Sequence, residues 1–294
     1  MLETIIFELE MAAPQIVLGL VNGAFYALLS LGLAVIFGML NVINFTHGAQ
    51  FMMGAFVAWM LLHYLGIGYW WALILSPLIV GVVGVIIEKT MISRLYKLDH
   101  LYGLLLTFGC ALVIEGVFRN NFGVSGLPYA VPPELRGGFD LGFMFLPGYR
   151  AWVVLVAIIT CLVTWYVIEK TKIGSYLRAA TERPQLVQAF GINVPRMMTL
   201  TYGAGVALAA FAGVLAAPIY SVRPDMGASF IIIVFAVVVI GGMGSILGSV
   251  VTGFALGFLE GMTRVFWPEA SATVVFFIMA IVLLTRPAGL FGRA

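Results

Sequence analysis

Trp152-Val-Val-Leu-Val-Ala-Ile-Ile-Thr-Cys-Leu-Val-Thr-Trp-Tyr-Val-Ile168 runs without a single charge, and so does the shorter stretch Phe230–Ile240. Working outward from these runs, the whole chain has the same character. Of its 294 residues 62% are hydrophobic and only 10% are charged, with the charges gathered between the apolar stretches. A soluble domain of this size carries roughly 25% charged residues. A hydrocarbon core is crossed by about 20 mostly apolar residues in a helix, which satisfies its own backbone hydrogen bonds. The sequence therefore specifies an all-α polytopic membrane protein. Its function falls among transporters, channels, receptors and membrane-embedded enzymes.

Apolar runs between charges and turn residues place candidate spans at about 14–40, 47–65, 70–87, 101–118, 151–168, 199–220, 229–242, 246–263 and 271–286. The first is long and the seventh short, and each is a candidate broken or re-entrant element, so the expectation is about 8–10 transmembrane helices. They form a single transmembrane domain over 1–294. Met1–Glu10 contains Glu3, Glu8 and Glu10 but no Lys or Arg, unlike the basic start of a secretory signal. It is expected to lie on the membrane surface or to run into the first span.

Basic residues set the orientation. Lys89, Arg94, Lys97, Lys170, Lys172, Arg178, Arg183, Arg196, Arg286 and Arg293 fall in one set of connections, against Arg119, Arg136, Arg150, Arg223 and Arg264 in the other. The richer set is read as cytoplasmic. That puts the N-terminus outside, the C-terminus inside, a loop at about 169–198 in the cytoplasm and a proline-rich loop at about 119–150 outside.

An internal repeat is suggested by Gly103, Thr107, Glu115, Gly116 and Arg119, which match Gly248, Thr252, Glu260, Gly261 and Arg264 at one constant offset. Many transporters contain such repeats. Each Glu lies four residues before its Arg, on one helix face, where the two can pair. The reading preferred for these acids is anchoring near the external boundary; the alternative is a role along a transport pathway.

Several chemistries are missing. None of Lys89, Lys97, Lys170 and Lys172 follows a glycine, so a phosphate-binding Walker A loop is excluded. His47, His63 and His100 are scattered, and Cys110 and Cys161 have neither metal-binding nor redox spacing and read as small core hydrophobes. No metal, no nucleic-acid partner, no catalytic residue and no cofactor within this chain are expected. Any ATP must be bound by partner subunits.

Two segments stand out. In Gly38-Met-Leu-Asn-Val-Ile-Asn-Phe-Thr-His-Gly48 the polar Asn41, Asn44, Thr46 and His47 interrupt an otherwise membrane-like run. This is either a polar turn at the membrane surface or a helix break lining a cavity, where non-helical backbone is tolerated and a restarting helix directs free N–H groups inward. A second glycine-rich stretch, Gly241-Gly-Met-Gly-Ser-Ile-Leu-Gly248, is a candidate break or a site of close helix packing. In the loop at 169–198, Pro184 suits a helix start and Gly191 a helix stop, with Leu186, Val187, Ala189 and Phe190 between them. So short a helix is marginal alone. It suggests either docking into a partner or a simple interfacial connector.

These residues carry a resemblance. Gly19-Leu-Val-Asn-Gly-Ala-Phe-Tyr-Ala-Leu28, Gly38 and Asn44-Phe-Thr-His-Gly48 resemble the amino-terminal signature of the permease subunits of branched-chain amino-acid ABC importers, of the smaller, first type. Arg178-Ala-Ala, Glu182 and Ala189-Phe-Gly-Ile-Asn193 resemble that family's coupling loop, a relative of the EAA motif, although the spaced terminal Leu-Pro is replaced by Val194-Pro195 nearby. The resemblance covers nearly the whole chain. It implies a subunit of an ATP-driven importer in the bacterial inner (plasma) membrane, surrounded by lipid and paired with a second related permease. Two cytoplasmic ATPase subunits and a periplasmic solute-binding protein complete the implied assembly. Solutes in such a family are branched-chain and other amino acids, amides, urea or aromatic acids.

The expected solute-pathway residues are Asn41, Asn44, Thr46, His47 and Gly48. The expected ATPase-coupling residues are Glu182, Leu186, Val187, Phe190 and Gly191. The competing reading is an ion-coupled secondary transporter of a small organic solute. That mechanism needs a buried ionisable site, and no acid in the sequence reads as well buried.

Overall fold

The structure is a computed structural model that describes residues 2–40, 42–96 and 98–292, with side chains from residue 12 onward except at Met39. The described helices are α1 (Leu2–Leu40), α2 (Thr46–Leu65), α3 (Tyr69–Thr90), α4 (His100–Phe122), α5 (Gly148–Lys170), α6 (Lys172–Glu182), α7 (Pro184–Ala189), α8 (Val194–Tyr220), α9 (Met226–Gly241), α10 (Ile246–Phe266) and α11 (Val274–Thr285). Among the described residues seven segments are long and apolar enough to cross a membrane: Ala12–Gly38, Thr46–Leu65, Tyr69–Arg94, His100–Phe122, Gly148–Lys170, Val194–Tyr220 and Ile246–Phe266. Met226–Gly241 and Val274–Thr285 are apolar but shorter. Every apolar run expected to span thus contains a helix, and the run at 229–242 is short, as expected.

The chain divides into two compact units. One comprises Leu31–Tyr129 and Leu162–Ile232. Its centre is α8, whose Tyr202, Val206, Ala209 and Ala210 are buried together with Phe51, Met52 and Phe56 of α2. Small residues let these helices touch backbone to backbone. A Cβ on Gly54 of α2 would fall 2.2 Å from the Ala210 carbonyl oxygen. Such approach replaces the hydrophobic drive that is absent between helices in lipid. Ser76 on α3 donates to the Gly54 carbonyl at 2.7 Å, tying α3 to the same seam.

The other unit comprises Met1–Ser30, Ala130–Cys161 and Ile233–Ala294. Here Gly19 and Gly23 of α1 meet Gly253, Gly257 and Gly261 of α10; a Cβ on Gly257 would sit 2.4 Å from the Gly19 carbonyl. The Tyr26 hydroxyl donates to Glu260 at 2.7 Å, and Ser30 donates to the Ser249 carbonyl at 3.3 Å. The glycine-rich stretch 241–248 satisfies both of its sequence readings. It separates α9 from α10 with Ser245 as N-cap, and Gly241 and Gly248 pack in mutual backbone contact. The expected external loop holds a two-stranded antiparallel hairpin, β1 (Gly138–Asp140) with β2 (Phe145–Pro147), which the sequence reading did not anticipate.

Candidate functional site

The polar segment between α1 and α2 is a true helix break. Leu40 ends α1 and Thr46 begins α2, and nothing in the side chain of Phe45 caps the new helix. The cap comes from α4 instead. The Phe45 N–H donates to the Thr107 hydroxyl at 3.2 Å, that hydroxyl reaches the Ile43 carbonyl at 3.0 Å, and the Thr46 hydroxyl donates to the Thr107 carbonyl at 2.8 Å. Thr107 lies about two turns inside its helix. A backbone group left unpaired at such a place is costly, and Thr107 removes that cost.

Asn44, Thr46, His47 and Gln50 are at most 1% exposed. The Asn44 amide donates to Gln50 at 3.4 Å and Gln50 donates to the Tyr202 hydroxyl of α8 at 3.2 Å. The side-chain amide oxygen of Asn44, Oδ1, is buried without a partner, whereas its backbone carbonyl accepts from the His47 N–H at 3.2 Å. His47 packs against α1, where a Cβ on Gly32 would fall 3.0 Å from its Cε1. Gly48 lies against Gly227 of α9; a Cβ there would fall 2.5 Å from the Gly227 carbonyl. Asn41 lies outside the described residues.

Buried location thus favours the helix break over the surface turn, but the polar side chains do not line an open route. The adjacent cavity, about 60 Å³, is lined by Phe45, Gly48, Phe108, Glu115 and Ile231, among others. Glu115, read from sequence as an anchor, pairs with Arg119 and also borders this cavity.

The second expected site is a pair of short helices. Lys172–Glu182 forms α6, with Gly174, Leu177 and Ala180 buried at three-residue intervals. Glu182 ends that helix and is exposed. Pro184 occupies the first turn of α7, and Gly191 has φ 83, a left-handed conformation that glycine adopts without a Cβ penalty. The expected apolar face is divided. Val187 is buried in a small core with Ala180 and Val194, whereas Leu186 is 52% and Phe190 79% exposed. One side of α7 therefore holds the loop together and the other presents two large apolar side chains.

The sequence reading found no well-buried acid, and the structure corrects it. Glu88, near the end of α3, is 1% exposed and accepts hydrogen bonds from Tyr96 and Thr199, each at 2.7 Å. Burial first, and then the Glu88 carboxylate, raise the Tyr96 phenol well above its ordinary pKa. Glu260 is also buried, at 8% exposure.

Residues 15–284 match the family described as branched-chain amino acid transport system / permease component. The chain belongs to this family. The permease is 30% identical to the high-affinity branched-chain amino acid transport system permease protein BraD of Pseudomonas aeruginosa, over 95% of each chain. It is 28% identical to LivH of Escherichia coli, over 94% of each. It also resembles LivM of Escherichia coli, at 26% identity over 90% of this chain and 67% of the relative. LivH and LivM are both named as permease proteins of a high-affinity branched-chain amino acid transport system, so this permease is similar to both. Together with its seven long apolar helices, this makes it a multi-pass protein of the inner membrane. Nothing in the family favours the ion-coupled alternative.

Sequence reasoning missed two functional candidates in the permease, Thr107 and Glu88, and placed the pathway role of Glu115 second to anchoring. Thr107 appeared only as a repeat match, and its partners lie some sixty positions away. Glu88 fell just past the expected span at 70–87, where a lone acid reads as an interface residue. Its short-range signal was Tyr96, eight positions on, in the turn after α3.

Proposed function

We propose that this permease carries branched-chain or closely related amino acids across the membrane as one half of a permease pair. Two ATPase subunits would drive it, and a periplasmic binding protein would deliver the solute. The reading rests above all on α7: a helix set between Pro184 and left-handed Gly191, anchored inward by Val187 and presenting Leu186 and Phe190 outward. Exposed aromatic and aliphatic side chains on a short rigid helix suit insertion into a cleft of a partner ATPase. On this reading the loop at about 169–198 is cytoplasmic, the loop at about 119–150 is external, and the chain performs no catalytic step of its own.

The break at Asn44–Gly48 serves as the movable part of the solute pathway. Asn44, Thr46 and His47 hold its shape, while Phe45, Gly48 and Glu115 face the cavity where a solute passes. Selection by the binding protein leaves this segment to control rate and coupling rather than solute preference.

The test is transport by the reconstituted complex with labelled leucine, isoleucine and valine, using the unaltered permease and Phe190→Asp. A charge forced unpaired into a protein interface costs on the order of 3–5 kcal/mol. The variant should insert normally yet lose both ATPase co-purification and uptake. Full assembly and uptake by Phe190→Asp would refute the docking role of α7.

A further inference from the structure

Glu88 is a buried carboxylate to which the transport scheme above gives no task. Among the described residues no Lys, Arg or His comes within ion-pair distance of it; its two oxygens are held instead by two hydroxyls from different parts of the chain. Tyr96 belongs to the turn between α3 and α4. Thr199 belongs to the second turn of α8, directly after the α6–α7 loop. Each carboxyl oxygen thus accepts from one hydroxyl, and the two hydroxyls come from different helical neighbourhoods.

The position of Thr199 gives the contact its meaning. Val194, the first residue of α8, shares the small core with Val187 of α7 and Ala180 of α6, so the start of α8 moves with the loop. Tyr202 is three residues beyond Thr199, on the same helix face. It is the residue that Gln50 and, through Gln50, Asn44 reach at the helix break. A single stretch of α8 therefore carries the α7 core at its tip, the Glu88 contact next, and the polar chain to the break after that. All of these residues belong to one compact unit.

We propose that Glu88 is a positioning residue for transport: it clamps the first turns of α8 to α3, so that displacement of α7 by a partner turns α8 as a lever and reaches Asn44 through Tyr202 and Gln50. Without the clamp, α8 yields at its start and the displacement dissipates before Tyr202. The proposal rests on the reading of α7 as the ATPase contact, and it adds a specific route from that contact to the pathway.

The experiment uses the complete complex in proteoliposomes: both permeases, both ATPases and the binding protein. Leucine taken up per ATP hydrolysed is measured for the unaltered permease, Glu88→Gln, Glu88→Ala, Tyr202→Phe and the double variant Glu88→Ala/Tyr202→Phe. Glutamine keeps the size but puts an amide NH2 where one carboxylate oxygen accepted, so one of the two hydroxyls loses its acceptor. Both Glu88 variants should assemble, retain basal ATP hydrolysis and lose roughly tenfold in uptake per ATP, a typical size for coupling between sites. Tyr202→Phe should lower the same ratio, and the double variant should fall no further, because both changes cut one line.

If uptake, hydrolysis and assembled complex fall together with an unchanged ratio, Glu88 is only a structural residue and the proposal fails. Additive losses in the double variant also overturn it. Should Glu88→Ala fail to insert, the Gln variant decides between these outcomes. Failure of the underlying reading has a different sign: the unaltered complex would then show no leucine uptake dependent on ATP.

Discussion

Helices α4 and α10 carry the same five residues at the same spacing, yet they serve different neighbours. In α10, Gly248 lies in backbone contact with Gly241, and Glu260 holds both Arg264, at 2.6 Å, and the Tyr26 hydroxyl of α1. In α4, Gly103 has room, Glu115 pairs with Arg119 beside a small cavity, and Thr107 caps the restart of α2. The corresponding Thr252 hydroxyl is buried with no partner. A shared pattern therefore fixes where a helix presents its polar groups, and the packing around it decides what those groups do. The α10 copy closes a helix seam, whereas the α4 copy supports an irregular segment.

The strongest way to break this contrast is through the glycines. An alanine at Gly248 places its Cβ 2.1 Å from a backbone oxygen, whereas one at Gly103 meets only the side chain of Val42 at 3.3 Å. Overpacking costs about 1–3 kcal/mol and occasionally more. Gly248→Ala should cost at least about 3 kcal/mol of stability, read as a sharply lowered thermal unfolding midpoint in detergent or as lost expression. Gly103→Ala should cost less than about 1 kcal/mol in the same assay.

The threonines give a smaller but more specific difference. Thr107→Val orphans the Phe45 N–H, at about 1–3 kcal/mol, and should slow uptake because the break loses its cap. Thr252→Val replaces an unpartnered buried hydroxyl with a methyl and should be neutral or slightly stabilising. Equal losses in both variants would mean that the two copies are not specialised as described.

The smallest effect is expected at the acids. Glu115→Gln breaks a pair whose Arg119 side chain is 53% exposed, and it should cost no more than about 0.5 kcal/mol, a loss that added salt erases. Glu260→Gln also disturbs the Tyr26 contact and should cost about 1 kcal/mol with little response to salt. Unfolding midpoints at low and high ionic strength distinguish the two.

Length and polarity made the helices readable. The runs at about 47–65, 101–118 and 151–168 are too long and too apolar to be anything else in a bilayer. Pro184 and Gly191 marked both ends of α7, because a missing N–H and a left-handed φ are properties of single residues. What escaped were relations between distant positions. Val187 and Leu186 are equally apolar in sequence, and only the fold of α6 onto α8 buries one and exposes the other. Nothing near Asn44 announced that its partners would be Gln50 and, through it, Tyr202 of α8 rather than a solute. The α6 helix was legible in part, since Gly174, Leu177 and Ala180 recur every three residues along a segment read only as a loop.

The contact between Gly48 and Gly227 has a kinetic consequence. Where bulky residues close a passage, a rotamer change can open it within picoseconds to nanoseconds. Here α2 and α9 meet at two positions that have no side chain to rotate, with a Cβ on Gly227 falling 2.2 Å from the Gly48 carbonyl. Widening that point requires the two backbones to part, a collective displacement on the microsecond-to-millisecond scale. On the solute pathway proposed above, the barrier at this point is set by whole helices and not by any one residue, so side-chain motion alone leaves it shut.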